Sequence, residues 1–335
     1  MTGAPAAPIL PAMLTNSLDV AVAERLATNQ AGPVILVRGL RKRYGDKEAV
    51  RGIDLEINRG EIFAFLGPNG AGKTTTVEIL EGFRTATEGA VEVLGEDPAH
   101  APGSWRERIG VVLQESEAEP GLTVRDCLEL YAGYYRRPRG VGETLELAGL
   151  AEQADQRAKS LSGGQRRRLD VALALVGDPE LIFLDEPTTG FDPSARRAAW
   201  QVISGLRDLG KTVFLTTHYM EEAERLADHI AVISDGRIVA EGDPRTLGDR
   251  HLSGAEITFC LPPEMGVADL PEALASRAEE NGGGRLIVRS STVTADLHAL
   301  AGWALERGVE LDDLEVGRPT LEDVYLKLTA ERSQS

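Results

Sequence analysis

The sequence predicts an α/β fold in two units: a larger one with a parallel β-sheet covered by helices on both faces, and a smaller α/β unit after it. Three observations lead to this class. Apolar, β-branched runs alternate with helix-spaced segments over residues 34–247, which is typical of parallel sheets. A glycine-rich stretch at 67–72 separates one such run from a helix. The chain has 335 residues, which is enough for two cores.

Residues 1–32 are predicted to form a flexible N-terminal extension, because they are rich in Ala, Pro, Thr and Asn. Leu14, Leu18, Val22 and Leu26 recur every four residues, so a short amphipathic helix is the alternative.

The first folded unit is expected at 33–245. Its predicted strands are 34–38, 53–57, 61–66, 91–94, 109–113, 181–184, 212–216 and 230–234. Its predicted helices are 73–80, 165–176, 194–209 and 220–227. Residues 115–160 change character, with helical spacing at 122–135 and 142–150 and no strong strand. This region predicts a helical insertion into the α/β core.

The second unit is expected at 246–335, after a linker near 242–254. Its predicted strands are 256–261, 285–289 and 310–316, and its predicted helices are 270–280, 295–307 and 320–329. An α/β layer is the simplest arrangement of these elements.

Charge and cysteine content limit the class of protein. The chain has 53 acidic and 36 basic residues, a net charge of −17, which argues against binding to a nucleic-acid backbone. Cys127 and Cys260 stand in no metal-ligand spacing, so both are expected to be reduced. No apolar run reaches the ~18–20 residues of a membrane span, and a basic signal-peptide start is missing. We therefore expect a cytoplasmic protein that reaches a membrane only through a partner.

The glycine-rich stretch has the pattern of a phosphate-binding loop, with the preceding strand and following helix that this motif requires. Glycines let successive backbone N–H groups point at phosphates, and the helix N-terminus adds partial positive charge. Lys73 is expected to reach the β- and γ-phosphates, the Thr74 hydroxyl to bind Mg²⁺, and Thr75 to contact the α-phosphate. The loop residues before them are Gly67, Pro68, Asn69, Gly70, Ala71 and Gly72.

Two adjacent carboxylates, Asp185 and Glu186, follow the buried run 181–184. At a strand end beside a phosphate loop, Asp185 is expected to coordinate Mg²⁺. Glu186 is then placed to orient or deprotonate the water that attacks ATP. Solvated loop charges are the alternative, which the nearby phosphate loop disfavours.

A second anion cradle is predicted where a serine caps another helix N-terminus. Its residues are Ser162, Gly163, Gly164 and Gln165. The arginines at 166–168 point in different directions on one helical turn, so most are expected to be solvated or paired with acids. One chain rarely needs two cradles for one ATP, whereas two chains arranged head to tail need both. The pattern therefore predicts a dimer that closes over ATP.

Three further side chains stand at positions suited to the same pocket. Gln114 follows the strand 109–113 and is placed to touch Mg²⁺ or the lytic water. His218 follows another strand end, where a γ-phosphate contact is favoured over a structural role. Tyr44 is placed to stack on adenine, and an ordinary surface tyrosine is the alternative.

Together these residues resemble the ATP-binding subunit of ABC transporters over 34–247. The resemblance implies a P-loop NTPase (RecA-like) core with a helical subdomain at about 115–160, plus a smaller C-terminal α/β domain. The family motifs fall on Tyr44 (A-loop), 67–75 (Walker A), Gln114 (Q-loop), 161–165 (signature), 181–185 (Walker B), Glu186 (catalytic glutamate), Asp192 (D-loop) and His218 (switch histidine).

Further segments are similar to ATPases of ABC-2-type exporters, notably the daunorubicin-resistance group. These segments are 166–170, 185–190, 218–223 and 319–325. Two positions depart from the pattern: Phe191 stands where leucine is usual, and Gln165 stands where the drug-exporter group often has methionine.

The resemblance implies an ATP hydrolase that uses ATP and Mg²⁺, forms a homodimer, and drives a separate membrane permease from the cytoplasmic face. It also implies export of a drug-like or lipidic compound. The alternative is a non-transport ABC ATPase of DNA repair or translation, but the long coiled-coil insertions or tandem domains of such proteins are missing. A P-loop kinase would leave 161–165 and His218 without a role.

Overall fold

A computed structural model describes residues 32–113, 119, 121–247, 255–281, 285–317, 320–323 and 325. The proposed N-terminal helix, Gln114 and most of the predicted helix 320–329 lie outside the described residues.

The strands of the first unit are β1 (Ile35–Tyr44), β2 (Lys47–Ile57), β3 (Ile62–Leu66), β4 (Glu88–Val93), β5 (Ile109–Val112), β6 (Leu181–Asp185), β7 (Thr212–Thr217), β8 (His229–Ser234) and β9 (Arg237–Gly242). Its helices are α1 (Lys73–Leu80), α2 (Gly103–Arg106), α3 (Val124–Ala132), α4 (Val141–Leu147), α5 (Gly163–Leu175), α6 (Pro193–Asp208) and α7 (Met220–Leu226), with short 3₁₀ turns at Ala151–Gln153 and Ala158–Ser160.

The central sheet has the strand order β5-β6-β7-β3-β8-β9, and its first five strands are parallel. Both faces are covered, so strands such as β3 are buried at every residue. The rings of Phe63 and Phe183 lie 5.6 and 5.7 Å from that of Phe214, on the face that α1 and a second sheet cover. Helices α5, α6 and α7 cover the other face. The predicted parallel sheet is confirmed, and its strands end at one common edge.

The second sheet of this unit corrects part of the prediction. Strands β1, β2 and β4 form an antiparallel sheet of their own, in the order β2-β1-β4, instead of extending the parallel one. Strand β9 was not predicted; it pairs antiparallel with β8 across the turn at Asp235 and Gly236, which have φ of 48° and 73°. An Asp-Gly pair between two apolar runs is a strong hairpin signal that could have revealed this strand.

Helices α3 and α4 pack with α5 around a small core of their own that includes Leu128, Leu145 and Leu173. Helix α3 begins with a capping box, in which Thr123 Oγ1 accepts from Asp126 N and Asp126 Oδ2 accepts from Thr123 N, both at 3.1 Å. The helical insertion expected at 115–160 therefore exists in its described part.

The second unit contains β10 (Ala255–Cys260), α8 (Glu272–Ala275), β11 (Ala278–Asn281), β12 (Arg285–Ser290), α9 (Val293–Arg307) and β13 (Asp312–Gly317). Its antiparallel sheet has the order β11-β12-β10-β13, and its core includes Phe259, Val288, Leu300 and Trp303. The predicted helix 270–280 is wrong at its end, because Ala278 pairs with Val288 as the edge strand β11. Strand pairing overrides the helix propensity of Ala and Glu there.

The buried Asp296 fixes α9 to this sheet. Its two carboxylate oxygens accept from the Arg277 guanidinium at 2.8 Å each, and the Ser290 hydroxyl donates to Oδ2 at 2.5 Å. Arg277 above all holds the pKa of Asp296 down at about 2. Within the described ranges, no helix is long and apolar enough to cross a membrane.

Candidate functional site

The phosphate loop, residues 67–75, joins β3 to α1 at the carboxyl edge of the central sheet. Gly70 and Gly72 have φ of 81° and 110°, which side chains rarely adopt. A Cβ on Gly67 would lie 2.3 Å from the carbonyl oxygen of Ile233, and one on Gly72 would lie 2.6 Å from that of Ala49. The neighbouring backbone approaches so closely that only glycine fits at these two positions.

Lys73 opens α1 and is buried, with 5% of its surface exposed. Its Nζ donates to the carbonyl oxygens of Gly67 at 2.8 Å and Pro68 at 3.3 Å. The same nitrogen lies 3.5 Å from Oε1 of Glu186. The ammonium group is thus held over the loop, within reach of the glutamate that follows β6.

The carboxylates after β6 are held by Thr216 of the neighbouring strand β7. The Thr216 hydroxyl donates to Oδ1 of Asp185 and accepts from the backbone N of Glu186 at 3.1 Å. Glu186 has a positive φ of 45°, a strained conformation for a non-glycine residue. The Thr189 hydroxyl donates to Oε2 of Glu186 at 3.1 Å. Thr216 and Thr189 were not predicted as site residues, since only the adjacency of the strands reveals their contacts.

His218 also approaches Glu186, with its Nδ1 3.2 Å from Oε1, the same oxygen that Lys73 faces. Nδ1 makes no aligned hydrogen bond within the described part of the chain, so this is a short contact between a ring nitrogen and a carboxylate oxygen. Burial by itself raises the pKa of the Glu186 carboxyl, but His218 and Lys73 outweigh burial and hold this pKa below its usual value. Glu186 therefore stays an anion at neutral pH, which a base must be.

A cavity of about 420 Å³ opens over the phosphate loop, in the size range of small-molecule sites. Its lining residues are Tyr44, Lys47, Ala49, Asn69, Gly70, Gly72, Lys73, Thr74, Thr75 and Glu186. Tyr44 is 40% exposed, and Lys42 lies 5.2 Å from its ring centroid. The structure thus brings the predicted Tyr44 to the mouth of the cavity. Lys47 and Ala49 were missed, because β2 was predicted too short to include them.

The second predicted cradle lies at the start of α5. Ser162 Oγ accepts from the backbone N of Gln165 at 3.3 Å, and the Gln165 side chain accepts from Ser162 N at 2.9 Å. As an acceptor there, Oγ keeps its own proton for another partner. Ser162 and Gly163 are exposed, and none of 161–165, all of them described, lines the cavity over the phosphate loop.

Asp192 caps the helix next to this cradle. Its Oδ1 accepts from the backbone N of Ser194 at 2.8 Å and of Ala195 at 2.9 Å, which starts α6. A Cβ on Gly164 would lie 3.2 Å from the Cβ of Ala195, so the starts of α5 and α6 pack closely. The structure therefore groups Asp192 with the second cradle.

Most arginines at 166–168 were expected to be solvated or paired with acids, and Arg167 does lie near an acid, with its Nη1 3.8 Å from Oδ2 of Asp170. Arg166 is exposed, but Arg167 is only 8% exposed. The Arg167 guanidinium donates to the carbonyl oxygens of Leu113, of Asp185 at 2.8 Å and of Pro187 at 3.2 Å. It joins α5 to the ends of β5 and β6, and so it ties the second cradle to the carboxylates.

The donor set near the phosphate loop fits Mg²⁺ in chemical type. The Thr74 hydroxyl at the start of α1 and the Asp185 carboxylate at the end of β6 supply hard oxygen ligands, and Mg²⁺ takes few protein ligands beside phosphates and water. Gln114, the third predicted ligand, lies outside the described residues.

A parallel sheet with a glycine loop and a buried lysine at its carboxyl edge defines a P-loop NTPase. Residues 50–189 match the family described as ABC transporter, and residues 255–320 match an ABC transporter domain-containing protein-like C-terminal domain. The chain belongs to the ABC transporter family as an ATP-binding subunit, and it is an ATPase coupled to transport.

Two relatives are similar over both units. A Nod factor export ATP-binding protein I of Cupriavidus metallidurans is 40% identical over 306 residues, 88% of this chain and 97% of that protein. A daunorubicin resistance ATP-binding protein of Streptomyces coeruleorubidus is 40% identical over 316 residues, 90% of this chain and 97% of that protein. A solved ATP-binding cassette, a dimer in a post-hydrolysis state bound to ADP and Pi, is 28% identical with a TM-score of 0.56, covering 62% of this chain and 98% of that chain.

Proposed function

We propose that this chain is the ATP-hydrolysing subunit of an ABC-2-type export system, in which two copies close over two ATP and drive a separate membrane permease. The similarity to two export or resistance ATP-binding proteins over 88% and 90% of the chain carries this proposal. Because both units of the chain take part in that similarity, the proposal concerns the whole chain. We take the units to be 33–245, with a helical subdomain at about 115–160, and 246–335.

The separation of the two cradles supports the dimer. The phosphate loop and Glu186 share one cavity, while Ser162 and Gly163 are exposed elsewhere on the surface. An exposed helix N-terminus beside a hydroxyl group that can still donate its proton is suited to bind an anion. In a head-to-tail dimer, Ser162 to Gln165 of each copy meet the γ-phosphate that the other copy holds, and Asp192 lies beside that contact.

In the proposed mechanism, Lys73 binds the β- and γ-phosphates and Tyr44 supports the adenine. The anionic Glu186 accepts a proton from the attacking water, and His218, beside that carboxylate, holds the γ-phosphate. Mg²⁺, held by Thr74, Asp185 and Gln114, supplies charge neutralisation of the phosphates when bound. ATP shifts the equilibrium toward the closed dimer only as far as that state binds ATP more tightly.

A groove between α1, β5 and α3 suits the proposed permease contact. Its lining residues are Glu81, Gly82, Phe83, Arg106, Ile109, Val111, Tyr131, Tyr135, Leu173 and Ala174, around a volume of about 260 Å³. Phe83 and Tyr134 nearby are 68% and 72% exposed. Large exposed apolar side chains beside a groove are typical of a protein interface. The groove adjoins the helical subdomain, so movement of α3 on closure would reach the permease.

The cargo is proposed to be a drug-like or lipidic compound, in line with the names of the two relatives. The chain would act at the cytoplasmic face of the cell membrane, bound to the permease. For the acidic second unit we propose a regulatory or assembly role.

The decisive experiment is purification of the tagged full chain from gently solubilised native membranes. We expect a multi-span membrane protein in stoichiometric amount, and we expect Phe83→Asp to lose it. Leu305→Asp, which changes a side chain that is 83% exposed in the second unit, is the matched control and should retain it. Only soluble partners, with and without ATP, would count against the proposed separate membrane permease.

A further inference from the structure

The end of the described chain returns from the second unit to the first. We call residues 320–323 and 325 the return segment; it follows β13. Leu321 is 1% exposed and lies in the core on the α7 face of the central sheet, beside Leu66 and Leu226. Tyr325 packs against the same core. The two units are therefore joined at a second place besides the linker after β9.

Two sets of hydrogen bonds hold the return segment in position. The backbone N of Leu321 donates to Oε1 of Glu224 on α7 at 2.9 Å. Thr320 Oγ1 accepts from Asp323 N at 3.2 Å, and Asp323 Oδ2 accepts from Thr320 N at 2.7 Å, which makes a capping box. A buried leucine, a hydrogen bond to α7 and a capped helical start together fix where Tyr325 lies.

Tyr325 forms one wall of a cavity directly behind the phosphate loop. This cavity has a volume of about 300 Å³. Its lining residues are Leu66, Gly67, Pro68, Asn69, His218, Met220 and Tyr325. The first residues of the phosphate loop and His218 thus share a cavity with a side chain from the end of the chain. Glu186 and Lys73 line the other cavity, over the phosphate loop, and Asn69 lines both.

We propose that Tyr325 is a positioning residue for ATP hydrolysis: its ring limits the space into which His218 and the start of the phosphate loop can move. Through it, the second unit sets the rate of hydrolysis. This inference rests on the roles proposed above for Glu186 and His218.

The physical reason lies in the groups that surround the His218 side chain. Its Nδ1 lies 3.2 Å from Glu186, and its ring lies 4.1 Å from that of the next residue, Tyr219. His218 also lines the cavity, where the large apolar and aromatic side chains are those of Leu66, Met220 and Tyr325. Removal of the Tyr325 ring enlarges this space, so the imidazole gains positions away from the reacting phosphate.

The Tyr325 ring also affects the part of the phosphate loop that holds Lys73. Its Nζ donates to the carbonyl oxygens of Gly67 and Pro68, and both residues line the cavity behind the loop. Lys73 itself remains held by the start of α1, and Gly70, Gly72, Thr74 and Thr75 line the other cavity, over the phosphate loop, and not this one. We therefore expect loss of the ring to disturb turnover more than nucleotide binding.

The test compares Tyr325→Ala, Tyr325→Phe and Leu321→Ala in the purified full chain, with Leu305→Ala as the matched control in the second unit. Steady-state hydrolysis gives kcat and KM, a fluorescent ATP analogue gives Kd, and thermal unfolding reports stability. Misplacement by about 1 Å can cost up to about 10²-fold in rate, so we expect kcat of Tyr325→Ala to fall at least several-fold. Its KM and Kd should stay within about 2-fold, as for loss of a contact that matters only in the transition state.

Rescue by phenylalanine separates positioning from general damage. Tyr325→Phe keeps the ring and should keep kcat, Leu321→Ala should lower kcat by releasing the segment, and Leu305→Ala should change nothing. An unchanged kcat in Tyr325→Ala would overturn the proposal. So would a rise in KM and Kd at constant kcat, or equal losses in the Phe and Ala variants. If Tyr325→Ala does not fold, Tyr325→Val is compared by the same criteria.

Hydrolysis is measured without a membrane partner, so failure to find a permease would count against the proposed export function and leave this comparison intact. Conversely, Glu186→Gln gives the background rate of ATP hydrolysis in this assay. If that variant hydrolysed ATP at the parent rate, the proposed site would fail, whatever the result for Tyr325.

Discussion

Nζ of Lys73 lies 3.5 Å from Oε1 of Glu186, although the two residues come from opposite ends of different structural elements. Lys73 begins α1, and Glu186 follows β6. Strand β7 lies between β3 and β6 in the sheet, and the hydroxyl of its Thr216 contacts both Asp185 and Glu186. The order of the strands therefore positions Lys73 and Glu186, the candidate phosphate-binding cation and the candidate base.

Glu186→Gln should keep nucleotide binding and lose turnover. The amide is nearly the same size but cannot accept the proton of water, so kcat should fall by roughly 10²–10⁴-fold. Steady-state ATPase assays and nucleotide titration measure the two effects. Glu92→Gln, at an exposed position on β4, is the control and should behave as the parent. Hydrolysis at the parent rate by Glu186→Gln would show that another group is the base.

Lys73→Ala should weaken ATP binding. The buried ammonium is the cation nearest to the phosphate position, and hydrogen bonds to charged groups contribute about 1.5–3 kcal/mol, so Kd should rise by roughly 10- to 100-fold. Calorimetric titration with an ATP analogue measures it. Lys159→Ala changes an exposed lysine outside the cavity and should leave Kd unchanged. An unaltered Kd in Lys73→Ala would contradict the assignment of the loop.

Ser162→Arg should abolish the ATP-dependent dimer. The arginine fills the space before the N-terminus of α5 and removes the hydroxyl, which blocks approach of the other copy's phosphate. The experiment uses the Glu186→Gln background and follows mass by light scattering with and without ATP. Ser160→Arg, at an exposed position two residues earlier, is the matched control and should still dimerise.

Loss of the cap in Ser162→Arg costs only about 1 kcal/mol of stability. Thermal unfolding therefore distinguishes a blocked contact from an unfolded helix. A dimer that forms with ATP in folded Ser162→Arg would rule out the shared site.

Because of Glu81, the free energy of unfolding should decrease as pH rises from about 4.5 to about 8. It is 5% exposed at the end of α1, and burial, with smaller effects of Asp185 and Glu78, raises its pKa from 4.5 to about 8. The folded chain then holds a proton that the unfolded chain has lost, so stability is highest below the unfolded pKa and decreases as pH rises toward the folded one. Each pKa unit corresponds to about 1.4 kcal/mol.

Glu81→Gln removes this ionisation. The gain in the free energy of unfolding of Glu81→Gln over the parent should be larger at pH 8 than at pH 5, by about 2–4 kcal/mol. Urea unfolding of both proteins at both pH values measures this gain. The same difference at both pH values would mean that Glu81 is not protonated in the folded chain. Glu92→Gln is again the exposed control.

The sequence was most informative where chemistry demands residues that are adjacent in the chain. The phosphate loop, the capping serine at 162 and the pair Asp185–Glu186 could all be found because each motif is a local pattern. The two carboxylates have different surroundings, however. Only the neighbouring strand β7 explains why the Thr216 hydroxyl contacts the side chain of Asp185 and the backbone N of Glu186. The roles of these residues stay predictions, which the variants above test.

Composition alone did not reveal the edge strand β11. The segment 278–280 has the composition of a helix, but it pairs with the next strand, β12, at the sheet edge. Arg167 belongs to a charged run, and its guanidinium donates to carbonyl oxygens at the ends of β5 and β6, which are distant in the chain. In both cases hydrogen bonds to another strand are worth more than the local preference.

By itself the sequence determined that this chain binds nucleotide through a glycine loop on an α/β core, because each glycine, capping serine and strand-end carboxylate serves a need that its own neighbours in the chain define. The tertiary structure decided which of these groups meet. It brought Lys73 and His218 to the same carboxylate oxygen of Glu186, left Ser162 outside the cavity over the phosphate loop, and placed Tyr325 in a cavity with the first residues of that loop. Strand order and buried packing set such distances, and neither is encoded by spacing along the chain.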